Sequence, residues 1–165
     1  MTKALFFCII ILAGIAIFAA SCGRDKDVPT IDTQIYFADT RLGRLLPYSD
    51  KIIDGAVNDM AQEALDKIIA GRDSNDNIRR IVPKIDDCLK VTVDNNIAYV
   101  DILSEIKDEI TVSRDIEKLF IYQVVNTLTS IKGIRFVKFT IDGEIHKNFL
   151  GFYDMRDVYS YTYPE

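Results

Sequence analysis

The segment from Cys88 to Leu103, CLKVTVDNNIAYVDIL, leaves the chain the least choice. Leu89, Val91 and Val93 alternate with polar residues, Asn95-Asn96 follows, and Ala98, Val100 and Ile102 alternate again. Period two is the mark of a half-buried strand. Asparagine tolerates the positive φ that a two-residue type I′ turn demands. With that turn, Val93 faces Ala98, Val91 faces Val100 and Leu89 faces Ile102, so all six apolar residues share one side. Thr92 then meets Tyr99 and Lys90 meets Asp101 on the other. A slip of one residue would turn every apolar side chain to water, so pattern and turn specify a single register.

The stretch from Asp115 to Glu144 packs against such a hairpin. Ile116, Leu119, Phe120, Val124, Leu128 and Ile131 recur in steps of three and four, which stacks them on one helical face. Ile121 and Val125 widen the stripe, as suits a helix lying on a sheet. Ser113 stands at the N-cap and Asp115 puts negative charge at the positive end of the helix dipole. Gly133 is placed to stop the helix. Val137, Phe139 and Ile141 then alternate with Phe136, Lys138 and Thr140 as a strand, closed by Asp142-Gly143 turn chemistry.

The remaining elements are read the same way. Gln34 to Phe37 predicts a first strand, stopped at Ala38-Asp39. Thr40 to Tyr48 reads as irregular because of Gly43 and Pro47. A helix is predicted from about Ile53 to Ala70, with Gly71 as its stop and Gly55 weakening its first turn. Arg72 to Lys84 is a polar connection closed by Pro83. Beyond Gly143 the chain is rich in aromatics, and Tyr159, Tyr161 and Tyr163 recur every second residue, which on a strand would place them on one face.

The N-terminus gives an address. Residues 1–21 carry one charge, Lys3, followed by an apolar run that ends in Ala19-Ala20-Ser21-Cys22. Small residues ahead of a cysteine resemble a lipobox, the lipoprotein signal-peptidase site. Under that reading residues 1–21 are removed and Cys22 becomes the acylated first residue. Residues 22–33 form a flexible linker and residues 34–165 a single domain. The competing reading is a plain transmembrane anchor, since about 17 to 25 apolar residues span a bilayer, but such an anchor has no reason to end in Ala-Ser-Cys. More than one acyl chain gives stable anchoring, so the membrane is expected as a partner through lipid. The linker reaches at most about 36 Å when extended.

The formal charge of −5 becomes one unit more negative when Lys3 leaves with the leader. An acidic domain without a basic stripe is a poor nucleic-acid binder, because phosphate contacts dominate that affinity. Cys88 is left alone after processing, with no C-x-x-C partner, and reads as a small buried hydrophobe.

The order strand, helix, hairpin, helix, strand, together with a set of short words, resembles the GerMN domain family of sporulation and spore-germination lipoproteins. The words are Ile35 to Asp39, Ala64-Leu65 with Ile68 to Gly71, Val82-Pro83, Ile97 to Ser104, Val124 to Thr129, and Val137 to Gly143. The resemblance spans about Ile35 to Phe152. It implies an α+β fold: a two-layer β-α-β-β-α-β sandwich, similar to ring-building-motif domains. A small mixed sheet holds the hairpin at its centre and two helices cover one face. It also implies a membrane-anchored scaffold rather than a catalyst. Asn126, Thr127, Asp142 and Gly143 are its most characteristic residues, and they are expected to be structural. Thr127 is expected to bond back to the carbonyl of Gln123, and Asn126 to satisfy the backbone of a neighbouring loop.

No residue set assembles into a catalytic site. His146 has no serine or cysteine nucleophile paired with it. Asp86-Asp87 and Asp108-Glu109 read as solvated loop acids, and no acidic run has the spacing of a calcium loop. Neither a metal nor another cofactor is expected. Tyr159, Tyr161 and Tyr163 either cover the core from an edge strand or form a contact surface for an envelope protein or a second copy. In the latter case truncation after Arg156 should leave a folded domain. Other functional classes open to the sequence are a hydrolase or ligand-binding domain acting on envelope glycans, and a ring-forming component.

Overall fold

The structure is a computed structural model, and it describes residues 28–39, 41–72 and 78–163. The leader, Cys22 and the first half of the expected linker lie outside the described residues. The elements run β1 (Thr30–Asp39), β2 (Arg44–Ile53), α1 (Val57–Ala70), β3 (Ile78–Arg79), β4 (Leu89–Asp94) and β5 (Ile97–Ile102). A 3₁₀ turn (Ser104–Glu109) follows, then α2 (Arg114–Thr129), β6 (Phe136–Ile141) and β7 (Tyr159–Ser160).

The α+β class is as the pattern requires, and the hairpin has the expected register. Val93 pairs with Ala98, Val91 with Val100 and Leu89 with Ile102. Asn95 and Asn96 take φ of 48° and 65°. β5 pairs with β6 in parallel and β6 with β7 in antiparallel, giving a mixed sheet in the order β4-β5-β6-β7. Ser113 caps α2, its hydroxyl accepting from the Ile116 N–H at 3.2 Å.

The first strand is where the architecture goes beyond the pattern. β1 stands outside the mixed sheet and is the middle strand of a second one, in the order β2-β1-β3. It starts at Thr30, inside the segment expected as linker, because Thr30 to Thr33 pair with Ile53 to Asp50. The region Thr40 to Tyr48, expected to be irregular, holds the start of the ten-residue β2. Pro47 fits there for a geometric reason. Its partner Tyr36 turns its N–H away from β2, so this pair exchanges no ladder bonds, and β2 is an edge strand whose Pro47 nitrogen needs no acceptor. Pairing of Ile53 with Thr30 likewise delays α1 to Val57.

Both sheets rest on the helices. α1 packs against β1, β2 and β4, and α2 packs against β1, β2, β6 and β7. This explains why α2 is buried over most of its circumference, from Leu119 through Leu128 with only Tyr122 partly open. A helix covered on several sides needs apolar residues beyond one stripe. The helix ends at Thr129, short of Gly133; Ser130 caps it with helical φ and ψ while its hydroxyl donates to the Gln34 carbonyl of β1, and Gly133 follows in the loop with φ 104°.

Helix side chains bond the outer side of β4, the end of β2 and the part of β1 that β3 leaves open. Gln62 of α1 accepts from the Val91 N–H and donates to the Leu89 carbonyl, and Asn58 accepts from the Val93 N–H. These three bonds run along the outer side of β4 as a neighbouring strand would. Glu63 takes the Ile53 N–H. On β1, Thr127 of α2 accepts from the Tyr36 N–H at 3.0 Å, and the Ser130 hydroxyl meets the Gln34 backbone and Thr33. Unpaired edges invite association with other chains, and here α1 occupies the edge at β4.

Replacing Gln62 with Ala removes two of these bonds from a partly buried edge. The expected cost is about 1–3 kcal/mol, read as a lower urea midpoint for the full chain.

Candidate functional site

Tyr159, Tyr161 and Tyr163 do not form one face. Tyr159 is 7% exposed and belongs to the core, Tyr161 is 43% exposed and Tyr163 81%. Tyr159 packs edge-to-face on Phe139 and on Tyr122, and its hydroxyl donates to the Asp154 carbonyl at 2.9 Å. Tyr161 stacks edge-on against Tyr36 of β1 and against Tyr163. Alternation is lost because β7 ends at Ser160. From there the backbone is held by a side chain instead: Asn126 Nδ2 donates to the Thr162 carbonyl, and Asn126 Oδ1 accepts from the Thr162 N–H.

That amide clamp is the role Asn126 was expected to have, toward a loop. Thr127 differs from expectation. Its hydroxyl accepts from Tyr36 on β1, and the bond back within the helix is made by Thr129 to the Val125 carbonyl. Asp142 and Gly143 form the turn after β6 with φ of 50° and 78°. Asp101 fixes the turn by accepting from the Gly143 N–H and the Thr140 hydroxyl. Asp142 accepts from the Ser104 N–H at 3.0 Å, and hydrogen bonding at Ser104 holds its carboxyl below the usual range.

One residue that the pattern did not single out matters to the same region. Glu117 is fully buried, and its two oxygens take the N–H groups of Leu150 and Phe152 at 2.9 and 2.8 Å. With Asn126 it ties the segment 149–162 onto α2. Further along, a hydrogen bond from Arg156 is the main reason the Asp154 carboxyl falls to about 2.

The other candidate residues lie apart. His146 is exposed, with Glu144 at 3.9 Å. Asp86 and Asp87 are exposed, Asp87 paired with Lys90. Asp108 and Glu109 are exposed at the end of the 3₁₀ turn. Cys88 is fully buried, and burial is the main cause that pushes its thiol pKa up. Among the described residues no group of three or more His, Cys, Asp or Glu could hold a metal ion. No helix among them is long and apolar enough to cross a membrane. Cys22 lies outside the described residues.

Two helices enclosed by a hairpin-bearing mixed sheet and a second small sheet define an α+β domain. The chain belongs to the family described as "Germane: Sporulation and spore germination", whose profile matches residues 34–147. Solved structures agree at the level of fold. The first GerMN domain of the sporulation protein GerM from Bacillus subtilis superposes with a TM-score of 0.54 at 18% identity, over 80% of this chain and 97% of that one. The tandem GerMN domains of the same protein give 0.58 at 13% identity, over 87% of this chain and 50% of theirs. A protein from Clostridium perfringens, provisionally described as a lipoprotein, gives 0.57 at 16% identity, over 84% and 92%. No curated protein matches the chain.

The geometry separates the tyrosines experimentally. Tyr159→Ala is expected to cost about 3–5 kcal/mol, as for other large core rings, and Tyr163→Ala no more than about 0.5 kcal/mol. Truncation after Arg156 removes Tyr159 and both Thr162 bonds, so it is expected to destabilise the domain. Chemical unfolding of the three variants checks this.

Burial is the first cause raising the phenol pKa of Tyr36, Tyr153 and Tyr159, and at Tyr36 the hydrogen bond with Tyr161 adds to it. Folding therefore favours their neutral forms. Their contribution to stability is complete below the ordinary value of 10.0 and is lost as pH rises above it. In an alkaline absorbance titration Tyr36 and Tyr159 are expected to ionise only as the fold opens.

Proposed function

We propose that this chain is an extracytoplasmic lipoprotein, acylated at Cys22, whose single GerMN domain works by protein contact rather than catalysis, in sporulation or germination or a related envelope process. The observation that carries the contact role is the exposed Tyr161–Tyr163 pair on a fixed support. Asn126 grips the backbone between the two rings, and Tyr36 backs Tyr161, which lowers the ordering cost of binding at Tyr161. Tyrosine offers large contact area with a polar tip and is enriched where binding energy concentrates.

The lipid anchor rests on the Ala-Ser-Cys ending of the leader, and the lipoprotein description of the Clostridium perfringens relative supports it. The family's description and the Bacillus subtilis relative support the link to sporulation. β1 begins at Thr30, so only Gly23 to Pro29 separate Cys22 from folded chain, a reach of about 23 Å at most. Under this reading the domain works close to the bilayer.

Cys22→Ser is expected to move the protein from the membrane fraction to the soluble fraction of cells and to abolish the mass added by acylation. Retention in the membrane would point to the plain anchor instead. Tyr161→Ser with Tyr163→Ser is expected to reduce cross-linking to a partner or second copy in intact cells with little change in unfolding midpoint. Unchanged cross-linking would remove the tail from the contact surface.

A further inference from the structure

A cleft of about 170 Å³ opens beside β3, where the end of α1, the middle of α2 and β1 meet. Phe37, Ile68, Ile78 and Ile81 supply its apolar lining, and Gln123 also lines it. Gln123 is 1% exposed, and its Oε1 is the one buried side-chain polar atom among the described residues with no hydrogen-bond partner. Leaving such a group unbonded costs about 1–3 kcal/mol. Everywhere else α2 spends its buried polar groups on a named partner: Glu117 on Leu150 and Phe152, Asn126 on Thr162, Thr127 on Tyr36. Gln123 breaks that rule and lines a cleft.

The rim of the cleft is basic in a chain that is acidic overall. Arg72, Arg79 and Arg80 all line it. Two of the three are fixed in place. Arg80 donates from Nη1 to the Ile69 carbonyl and from Nη2 to the Ala70 carbonyl, both at 2.9 Å. Its guanidinium lies so tightly over Gly71 that a Cβ there would come within 2.6 Å of Nη2. Arg72 sits over the Tyr48 ring, 4.4 Å from its centroid. Arg80 has five N–H donors, of which two are used among the described residues. None of the ion pairs among the described residues uses these arginines.

We propose that this cleft binds a small organic carboxylate with a short apolar body and a neighbouring N–H, as at the C-terminal residue of a peptide. The carboxylate meets the arginine rim, since guanidinium forks match planar oxyanions. The apolar body lies against Phe37, and the N–H donates to Gln123 Oε1 once that side chain turns into the cleft. Phosphate has neither an apolar body nor an N–H for Gln123, so it is expected to bind more weakly. The volume is close to that of cavities that hold a benzene-sized group.

The test uses the full chain with its Gln side-chain amides resolved by NMR. The probes are N-acetylalanine, its amide, propionate, inorganic phosphate and acetyl-Ala-Ala-Ala. N-acetylalanine is expected to shift the Gln123 amide and to bind about tenfold or more tighter than its uncharged amide. Propionate, lacking the N–H, is expected to bind about fivefold weaker. Gln123→Leu is expected to bring N-acetylalanine down to the propionate level without lowering the melting temperature. Gln123→Met, closer in shape, serves if the leucine variant does not fold. Tighter binding of acetyl-Ala-Ala-Ala than of N-acetylalanine makes a peptide end the source of the ligand. Equal or weaker binding makes it a free acid. The proposal is overturned if no acid binds below roughly 10 mM. Equal binding of the acid and its amide, phosphate binding as tightly as N-acetylalanine, or no effect of either Gln123 variant would overturn it too.

Discussion

Polar side chains on the two helices stand in for strands that are missing from the sheets. Gln62 and Asn58 bond the open side of β4, Thr127 and Ser130 bond β1, and Asn126 bonds the chain beyond β7. A backbone amide removed from water without a partner is costly. Two small sheets, each with edges, can close over the same helix pair only if something answers those amides. Thr127 and Asn126 are themselves buried, so these two polar positions are as constrained as the apolar ones around them. Removing one leaves its partner unmet in a site that water reaches poorly.

This requirement also decides what was legible in the residues. The hairpin was legible to the residue, because a period of two and a turn of fixed length leave one register. α2 was legible as a helix, through its stripe and its Ser113 cap. β2 was hidden: Pro47 argues against a strand unless it is known to lie on an edge opposite a residue whose N–H points elsewhere. β3 has two residues and no pattern to read. The tyrosine alternation was real but misleading, since Asn126 takes over the backbone at Thr162 and ends the strand at Ser160.

Gln123 and Glu117 had a signal that could have been used. Gln123 lies three residues after Phe120 and four before Thr127, within the buried arc of α2. Glu117 sits in its first turn, beside Phe120. A polar residue on an apolar arc asks for a partner, and the sequence does not say which segment supplies it. For Glu117 it is a loop more than thirty residues away, joined to it by no periodicity. For Gln123 no protein group supplies it among the described residues.

The contact between Tyr36 and Tyr161 brings the first strand and the last segment of the fold side by side. A domain tethered ahead of β1 and gripped at its tail would carry mechanical load along a short path. Tension would pass from the terminal rings into β1 and α2 and leave by the tether. The hairpin itself, β4 with β5, would stay off that line, while β7, continuous with the tail, would share the load with β6.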